Sequence, residues 1–116
     1  MDNLIKFGGG LHNYSTQEHI VGKWIDGSDV YEKSYAGTAK VGYQDLETST
    51  IGTKLLSAIG GLSTSKTHAL PIPFSNDTDY RYVYFTPQPK LRVSEAGDYY
   101  ITIRYLKWYL YYYLYF

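Results

Sequence analysis

The residues that could perform acid–base or metal chemistry are few and widely spaced. The three histidines are His12, His19 and His68, and they lack the His-x-x-x-His or Glu-paired spacing of a helical metal site. The chain has no cysteine, which excludes disulfides, thiolate zinc sites and cysteine nucleophiles. Gly8-Gly9-Gly10 has no strand pattern before it, so no phosphate-binding loop is indicated. The sequence therefore predicts no catalytic residue, no metal site and no bound cofactor.

Most of the carboxylates stand where turns are expected. Asp and Asn favour turns because their side chains bond to nearby backbone amides. The segment Asn76-Asp77-Thr78-Asp79 is rich in oxygen ligands, yet it lacks the spaced glycine and distal glutamate of an EF-hand calcium loop. We therefore predict a turn at these residues rather than a calcium site.

Aromatic side chains are the better candidates for binding, since the chain contains 15 tyrosines. Tyr80, Tyr82 and Tyr84 alternate along a predicted strand and share one face, where tyrosine offers rigid contact area at low entropic cost. That face is predicted to be a ligand surface, a subunit interface or a second core layer. Trp24, close to Asp26, could stack on a sugar ring, but a core anchor is the favoured interpretation because tryptophan buries a large area.

An all-β fold must position these side chains, because residues suited to a pleated sheet dominate the chain. Residues 24–31 predict a hairpin with Asp26-Gly27 at its turn. Residues 98–105 alternate, with Tyr99, Ile101, Ile103 and Tyr105 inward. The prolines of residues 70–74 predict an extended segment at a sheet edge or sandwich end. Together these patterns predict a small antiparallel β-sandwich of about six to eight short strands.

Two stretches are less regular. Residues 51–59 carry apolar side chains at helical spacing, but the run is short and Gly52 weakens it. Gly60-Gly61 and the Ser/Thr-rich residues 63–67 predict a loop. The whole chain is divided into a flexible lead-in at 1–13, a sandwich domain at 14–107, and an aromatic C-terminal strand or interface segment at 108–116.

Length and charge exclude several classes of protein. A chain of 116 residues is long enough for one domain. Eleven basic side chains balance eleven acidic ones, which argues against nucleic-acid binding. No apolar stretch reaches the roughly 20 residues that span a bilayer, and the N-terminus lacks the pattern of a secretory signal. We expect synthesis in a cytoplasm and no membrane span.

Two segments carry a resemblance to a known family. Tyr14-Ser15-Thr16-x-Glu18, followed by Gly22-x-Trp24-Ile25-Asp26-Gly27-x-x-x-Tyr31-x-Lys33, resembles a signature at the C-terminal ends of tail-fibre and baseplate-associated proteins of bacteriophages and prophages. Residues 99–107 are similar to the strand that often closes these proteins. The resemblance covers residues 14–107. It implies a homotrimeric β-sandwich in the virion, which contacts other tail proteins and a receptor or glycan on the host surface.

The chain departs from that pattern in its last nine residues. Residues 108–116 are all aromatic or aliphatic, and so much apolar surface favours association. We predict that they add a strand at a sheet edge and that Trp108, Tyr111 and Tyr113 contact a neighbouring subunit. The expected function is therefore a non-enzymatic structural and host-attachment domain. A stand-alone carbohydrate-binding module, using Trp24 and the tyrosines as stacking platforms, is the alternative.

Overall fold

The computed structural model describes residues 14–107, which form two antiparallel sheets. Within this range there are nine strands and no helix. The strands are β1 (His19–Lys23), β2 (Asp29–Ala39), β3 (Gly42–Asp45), β4 (Lys54–Ser63), β5 (Ala69–Ile72), β6 (Phe74–Ser75), β7 (Tyr80–Phe85), β8 (Pro89–Val93) and β9 (Gly97–Leu106). The order is β1-β2-β9-β4-β5 in the larger sheet and β3-β8-β7-β6 in the smaller. The predicted all-β antiparallel sandwich is confirmed, with nine strands in place of six to eight.

The hydrophobic core lies between the two sheets. Its buried members are Ala39, Leu62, Ile72, Val83, Leu91, Val93, Ile101, Ile103 and Tyr105. Strand β9 illustrates how one face of a strand supplies the core. Its odd-numbered side chains from Ile101 to Tyr105 are fully buried, while Thr102 and Arg104 point to the opposite face. Each side chain of this size stabilises the fold by roughly 1.5–3 kcal/mol when it is fully buried. The alternation predicted for β9 therefore matches its structure.

The hairpin between β1 and β2 turns at the predicted place. Gly27 has a φ of 90°, a conformation that favours glycine, and the Asp26 carboxylate accepts a hydrogen bond of 2.8 Å from the Ser28 amide. Trp24 lies in the same loop, where it is half-buried and outside the core cluster of the described residues. The core-anchor interpretation of Trp24 is therefore wrong, because this residue lies in the turn between β1 and β2 and outside the core cluster.

Strand β4 corrects two expectations. Residues 54–59 are extended, with Leu55 packed against the core and Ile59 exposed, so the helical spacing of their apolar side chains is coincidental. Gly60 and Gly61 lie inside this strand instead of in a loop. A Cβ at Gly60 would stand 2.0 Å from the carbonyl oxygen of Tyr100, so glycine permits the close approach of β4 to β9.

The proline-rich segment crosses from one sheet to the other, as its extended pattern predicts. It supplies β5 at the edge of the five-stranded sheet and β6 at the edge of the four-stranded sheet. Arg81 of β7 is buried beneath the crossing, donates a 2.9 Å hydrogen bond from Nε to the Pro71 carbonyl, and stacks on the Phe74 ring. Arg81 thus adds a side-chain contact between the crossover and the smaller sheet to the backbone pairing of β6 with β7.

Three further expectations concern termini, turns and membranes. The predictions for residues 1–13 and 108–116, including those for Trp108, Tyr111 and Tyr113, lie outside the described residues. Asn76 builds the predicted turn, since its side-chain oxygen accepts hydrogen bonds from the amides of Thr78 and Asp79. Residues 14–107 contain no helix with the length and apolar character to cross a membrane.

Candidate functional site

The outer face of the four-stranded sheet brings together the three tyrosines singled out in the sequence. Tyr80, Tyr82 and Tyr84 project from β7 on the face opposite Val83, and register pairing sets Arg92 of β8 beside Tyr82. Strand β3, which pairs with β8 on the side away from β7, adds Tyr43 opposite Arg92. We call this set, Tyr43, Tyr80, Tyr82, Tyr84 and Arg92, the tyrosine–arginine face.

Arg92 sits at the centre of the tyrosine–arginine face. Its Nη1 donates a 2.8 Å hydrogen bond to the Tyr82 hydroxyl, and its guanidinium carbon lies 4.5 Å from the Tyr80 ring centroid and 4.8 Å from that of Tyr43. The bond to Tyr82 raises the pKa of Arg92 above its ordinary value. The cation therefore organises the rings around it through cation–π contacts.

The rings of this face are tilted against one another rather than coplanar. The centroids of Tyr82 and Tyr84 are 5.7 Å apart at 51°, and those of Tyr80 and Tyr82 are 6.3 Å apart at 52°. Tyr43 stands at the rim with 63% of its surface exposed. None of these rings belongs to the core cluster of residues 14–107, and the choice among a ligand surface, a subunit interface and a second core layer stays a prediction.

A second constellation links residues of the signature that are far apart in sequence. Lys107 Nζ lies 2.5 Å from Glu18 Oε1, and the buried Tyr105 hydroxyl donates to the other oxygen of the same carboxylate. The ring of Tyr31 stacks on that of Tyr105 with their centroids 6.0 Å apart, and Lys107 Nζ lies 4.6 Å from the centroid of the Tyr31 ring. We call Glu18, Tyr31, Tyr105 and Lys107 the signature cluster.

A neighbouring ion pair extends the signature cluster along the inner face of β2. Lys33 pairs with Glu47 of the segment between β3 and β4, and the Tyr35 hydroxyl donates a 2.9 Å bond to the same carboxylate. Burial, with a smaller contribution from the hydrogen bond to Glu47, raises the pKa of Tyr35 well above its ordinary value. The sequence motif is thus built into the packing of one region of the sandwich.

The signature cluster is not arranged for proton transfer near neutral pH. Burial, assisted by the hydrogen bond to Glu18, raises the pKa of Tyr105 well above its ordinary value. Burial alone would raise the pKa of Glu18, but hydrogen bonds from Lys107 and Tyr105 outweigh it and leave that pKa below 4.5. An acid–base catalyst works best with a pKa near the working pH, so both shifts point to structural roles.

An open groove of about 650 Å³ lies on the outer face of the five-stranded sheet. Strands β2, β9 and β4 form its floor, which carries the hydroxyl pair of Ser34 and Thr102. Among its lining residues, Tyr14, Ile59 and Tyr100 are large apolar side chains that are more than 60% exposed. We call this feature the outer groove.

The sequence pattern predicts part of these surfaces. It placed Tyr80, Tyr82 and Tyr84 on one face but missed Arg92 and Tyr43, since strand pairing, not sequence spacing, brings them there. It missed the outer groove altogether, although the alternation predicted for β9 already put Thr102 and Arg104 on the solvent face. Trp24 and Asp26 lie in a loop of the other sheet, so they do not join the tyrosine–arginine face.

Neither a metal-binding group nor a similarity to a known protein identifies a ligand for these surfaces. Residues 14–107 hold no group of three or more His, Asp or Glu side chains that could bind a metal ion. The chain matches no protein-family model, no curated protein and no solved structure among those compared.

Proposed function

We propose that the chain is a non-enzymatic structural and host-attachment domain of a phage or prophage tail appendage, which acts in the virion through surface contacts. The observation that carries this proposal is the tyrosine–arginine face. Tyr and Arg are the residue types that dominate the binding energy of protein interfaces, and here five of them are assembled on one side of a rigid sheet. The resemblance described from the sequence supplies the biological setting.

The signature cluster supports the same setting. Glu18, Tyr31, Tyr105 and Lys107 all belong to the motif that resembles tail-fibre and baseplate-associated proteins, and they contact one another in the fold. A motif whose residues pack against one another in this way serves the fold rather than a reaction. Specific contacts then fall to the exposed faces of the sandwich.

The occupant we propose for the tyrosine–arginine face is a neighbouring copy of this chain in a homotrimer. The tilt of about 51° between the Tyr82 and Tyr84 rings breaks up the flat platform on which a sugar ring would stack. Hydroxyl groups and a guanidinium among aromatic rings suit a protein surface with its own carbonyls and apolar side chains. Other tail proteins would bind the remaining surfaces of the assembly.

The test is the mass of the full chain in solution, measured by sedimentation or light scattering. We expect a trimer for the parent chain and a shift towards monomer for Tyr43→Ala. The matched control is Tyr100→Ala, since Tyr100 is 62% exposed, Tyr43 is 63% exposed, and the two lie on opposite sheets. A monomeric parent chain would contradict the proposal, as would equal masses for parent and Tyr43→Ala.

The alternative, a stand-alone carbohydrate-binding module, predicts a monomer that binds glycans. The observation in its favour is the outer groove, which combines exposed tyrosines with hydroxyl groups. A monomeric parent chain that binds glycans would decide for it.

A further inference from the structure

The outer groove combines two kinds of surface that saccharides require. Tyr100 and Ile59 are 62% and 68% exposed, so their apolar faces are free to contact the C–H face of a sugar ring. Between β2 and β9 the hydroxyls of Ser34 and Thr102 lie 2.7 Å apart on the floor, where they can exchange hydrogen bonds with sugar hydroxyls. A volume of about 650 Å³ falls within the range of small-molecule sites.

One end of the groove is formed by an ion pair on the same face of the sheet. Glu32 of β2 is fully buried, and its Oε2 accepts a 2.8 Å hydrogen bond from Nε of Arg104 on β9. The Arg104 side chain is 47% exposed. This bond holds the guanidinium in place through one nitrogen, which leaves its terminal amino groups able to donate as a fixed fork.

The charges at this end favour a neutral ligand. The carboxylate of Glu32 compensates the cation of Arg104 at contact distance and also lies 3.4 Å from Nε2 of His19. The remaining lining residues, including Ser57 and Thr16, are uncharged. An anionic ligand would gain from Arg104 but would be repelled by the buried Glu32 beside it. Hydroxyl groups need only donors and acceptors, and the groove supplies them without net charge.

From this geometry we infer that the outer groove is a binding site for a neutral pyranose saccharide. One sugar ring packs against Tyr100, and its hydroxyls bond to Ser34, Thr102 and the terminal amino groups of Arg104. The inference rests on the host-attachment part of the proposed function and names its ligand class. The groove lies on the opposite sheet from the tyrosine–arginine face, so the trimer is tested separately.

The experiment titrates the full chain, isotopically labelled, with methyl glucoside, methyl galactoside and N-acetylglucosamine, and with glucuronic acid as the acidic counterpart. Amide chemical shifts report where each sugar binds and how tightly. We expect shifts at Ser34, Thr102 and their strand neighbours with at least one neutral sugar, and weaker or no shifts there with glucuronic acid.

Two variants and one control variant identify the residues responsible for binding. Tyr100→Ala should weaken binding about tenfold, the loss typical of an aromatic contact residue, while Val41→Ala, at a side chain that is 64% exposed, should leave the affinity unchanged. Arg104→Lys keeps a cation beside Glu32 but removes the planar fork, so it should weaken binding without unfolding the protein. Thermal melts of all three variants check that they remain folded.

Three results would overturn the inference. The first is the absence of shifts at the groove with every neutral sugar at millimolar concentration. The second is tighter binding of glucuronic acid than of the neutral sugars. The third is a loss of affinity in Tyr43→Ala with none in Tyr100→Ala, which would place the sugar on the tyrosine–arginine face. A trimeric mass with no sugar binding would overturn the site and leave the trimer standing, whereas a monomer that binds sugar at the groove would support the site and the alternative function.

Discussion

Replacing Tyr105 by Phe removes one hydroxyl from the signature cluster and leaves its buried ring in place. The side chain is fully buried and its hydroxyl donates to the ionised carboxylate of Glu18. A hydrogen bond to a charged group contributes about 1.5–3 kcal/mol to stability. Because Lys107 still pairs with Glu18 in the variant, we expect a loss near the lower end, about 1.5–2 kcal/mol.

Urea unfolding of parent, Tyr105→Phe, Glu18→Gln and the double variant measures this contribution directly. The double-mutant cycle isolates the coupling between the two side chains, and we expect it to reach about 1 kcal/mol. The matched control is Tyr43→Phe, an exposed ring whose change should stay within about 0.5 kcal/mol. A coupling below about 0.3 kcal/mol would refute the reasoning that this bond joins the N-terminal segment to β9.

The stability of Tyr105→Phe should also depend on alkaline pH differently from that of the parent. The folded-state pKa of Tyr105 lies above its ordinary value of 10.0, mainly because of burial. Stability linked to this group is therefore complete below pH 10.0 and is lost as the pH rises above that value. Tyr105→Phe should lose less stability than the parent between neutral pH and pH 11, roughly one pH unit above the ordinary pKa. An equal alkaline loss in both proteins would contradict the assignment.

Four further predictions concern pH, the hairpin, the tail and salt. Because the pKa of Glu18 is lowered, its stabilisation is complete above 4.5 and is lost as the pH falls below it, so urea midpoints of Glu18→Gln should vary less with acid than those of the parent. Trp24→Ala should cost about 1–2 kcal/mol by thermal melting, less than the roughly 2–5 kcal/mol of the core variant Leu91→Ala; the reverse order would restore the core interpretation. Deleting residues 108–116 should yield monomer or insoluble protein. An unchanged mass and Tm would show that this segment contributes neither to assembly nor to stability. Assembly mass should hold between low and moderate salt, since apolar burial is hardly screened; steep dissociation would reveal an electrostatic interface.

The sequence determined the class of fold and the faces of its clearest strands. Period-two alternation in residues 98–105 is a local property, because successive side chains of any strand point to opposite faces, and the structure shows that pattern of burial. Asp26-Gly27 likewise specifies a turn through backbone preferences that act within a few residues. Both features depend on neighbouring residues alone, so they can be predicted without the order of the strands in the sheets.

Strand order decided the composition of both candidate sites. Arg92 reaches Tyr82 because β8 pairs with β7 in one particular register, and a shift of one residue would turn Arg92 towards the core. Ser34 meets Thr102 across 68 positions of sequence for the same reason. No local pattern encodes such a pairing, since it depends on which strands become neighbours.

Tertiary packing also outweighed three local sequence signals. Trp24 has the size of a core residue, yet it lies in the turn between β1 and β2 and outside the core cluster. Glu32, a residue type that favours water, is fully buried, with Arg104 and His19 of the neighbouring strands against its carboxylate. Gly60 and Gly61 read as a loop by composition, but β9 approaches so closely that only glycine fits at position 60. In each case the deciding contact comes from a residue distant in the chain, which is why only the folded structure reveals it.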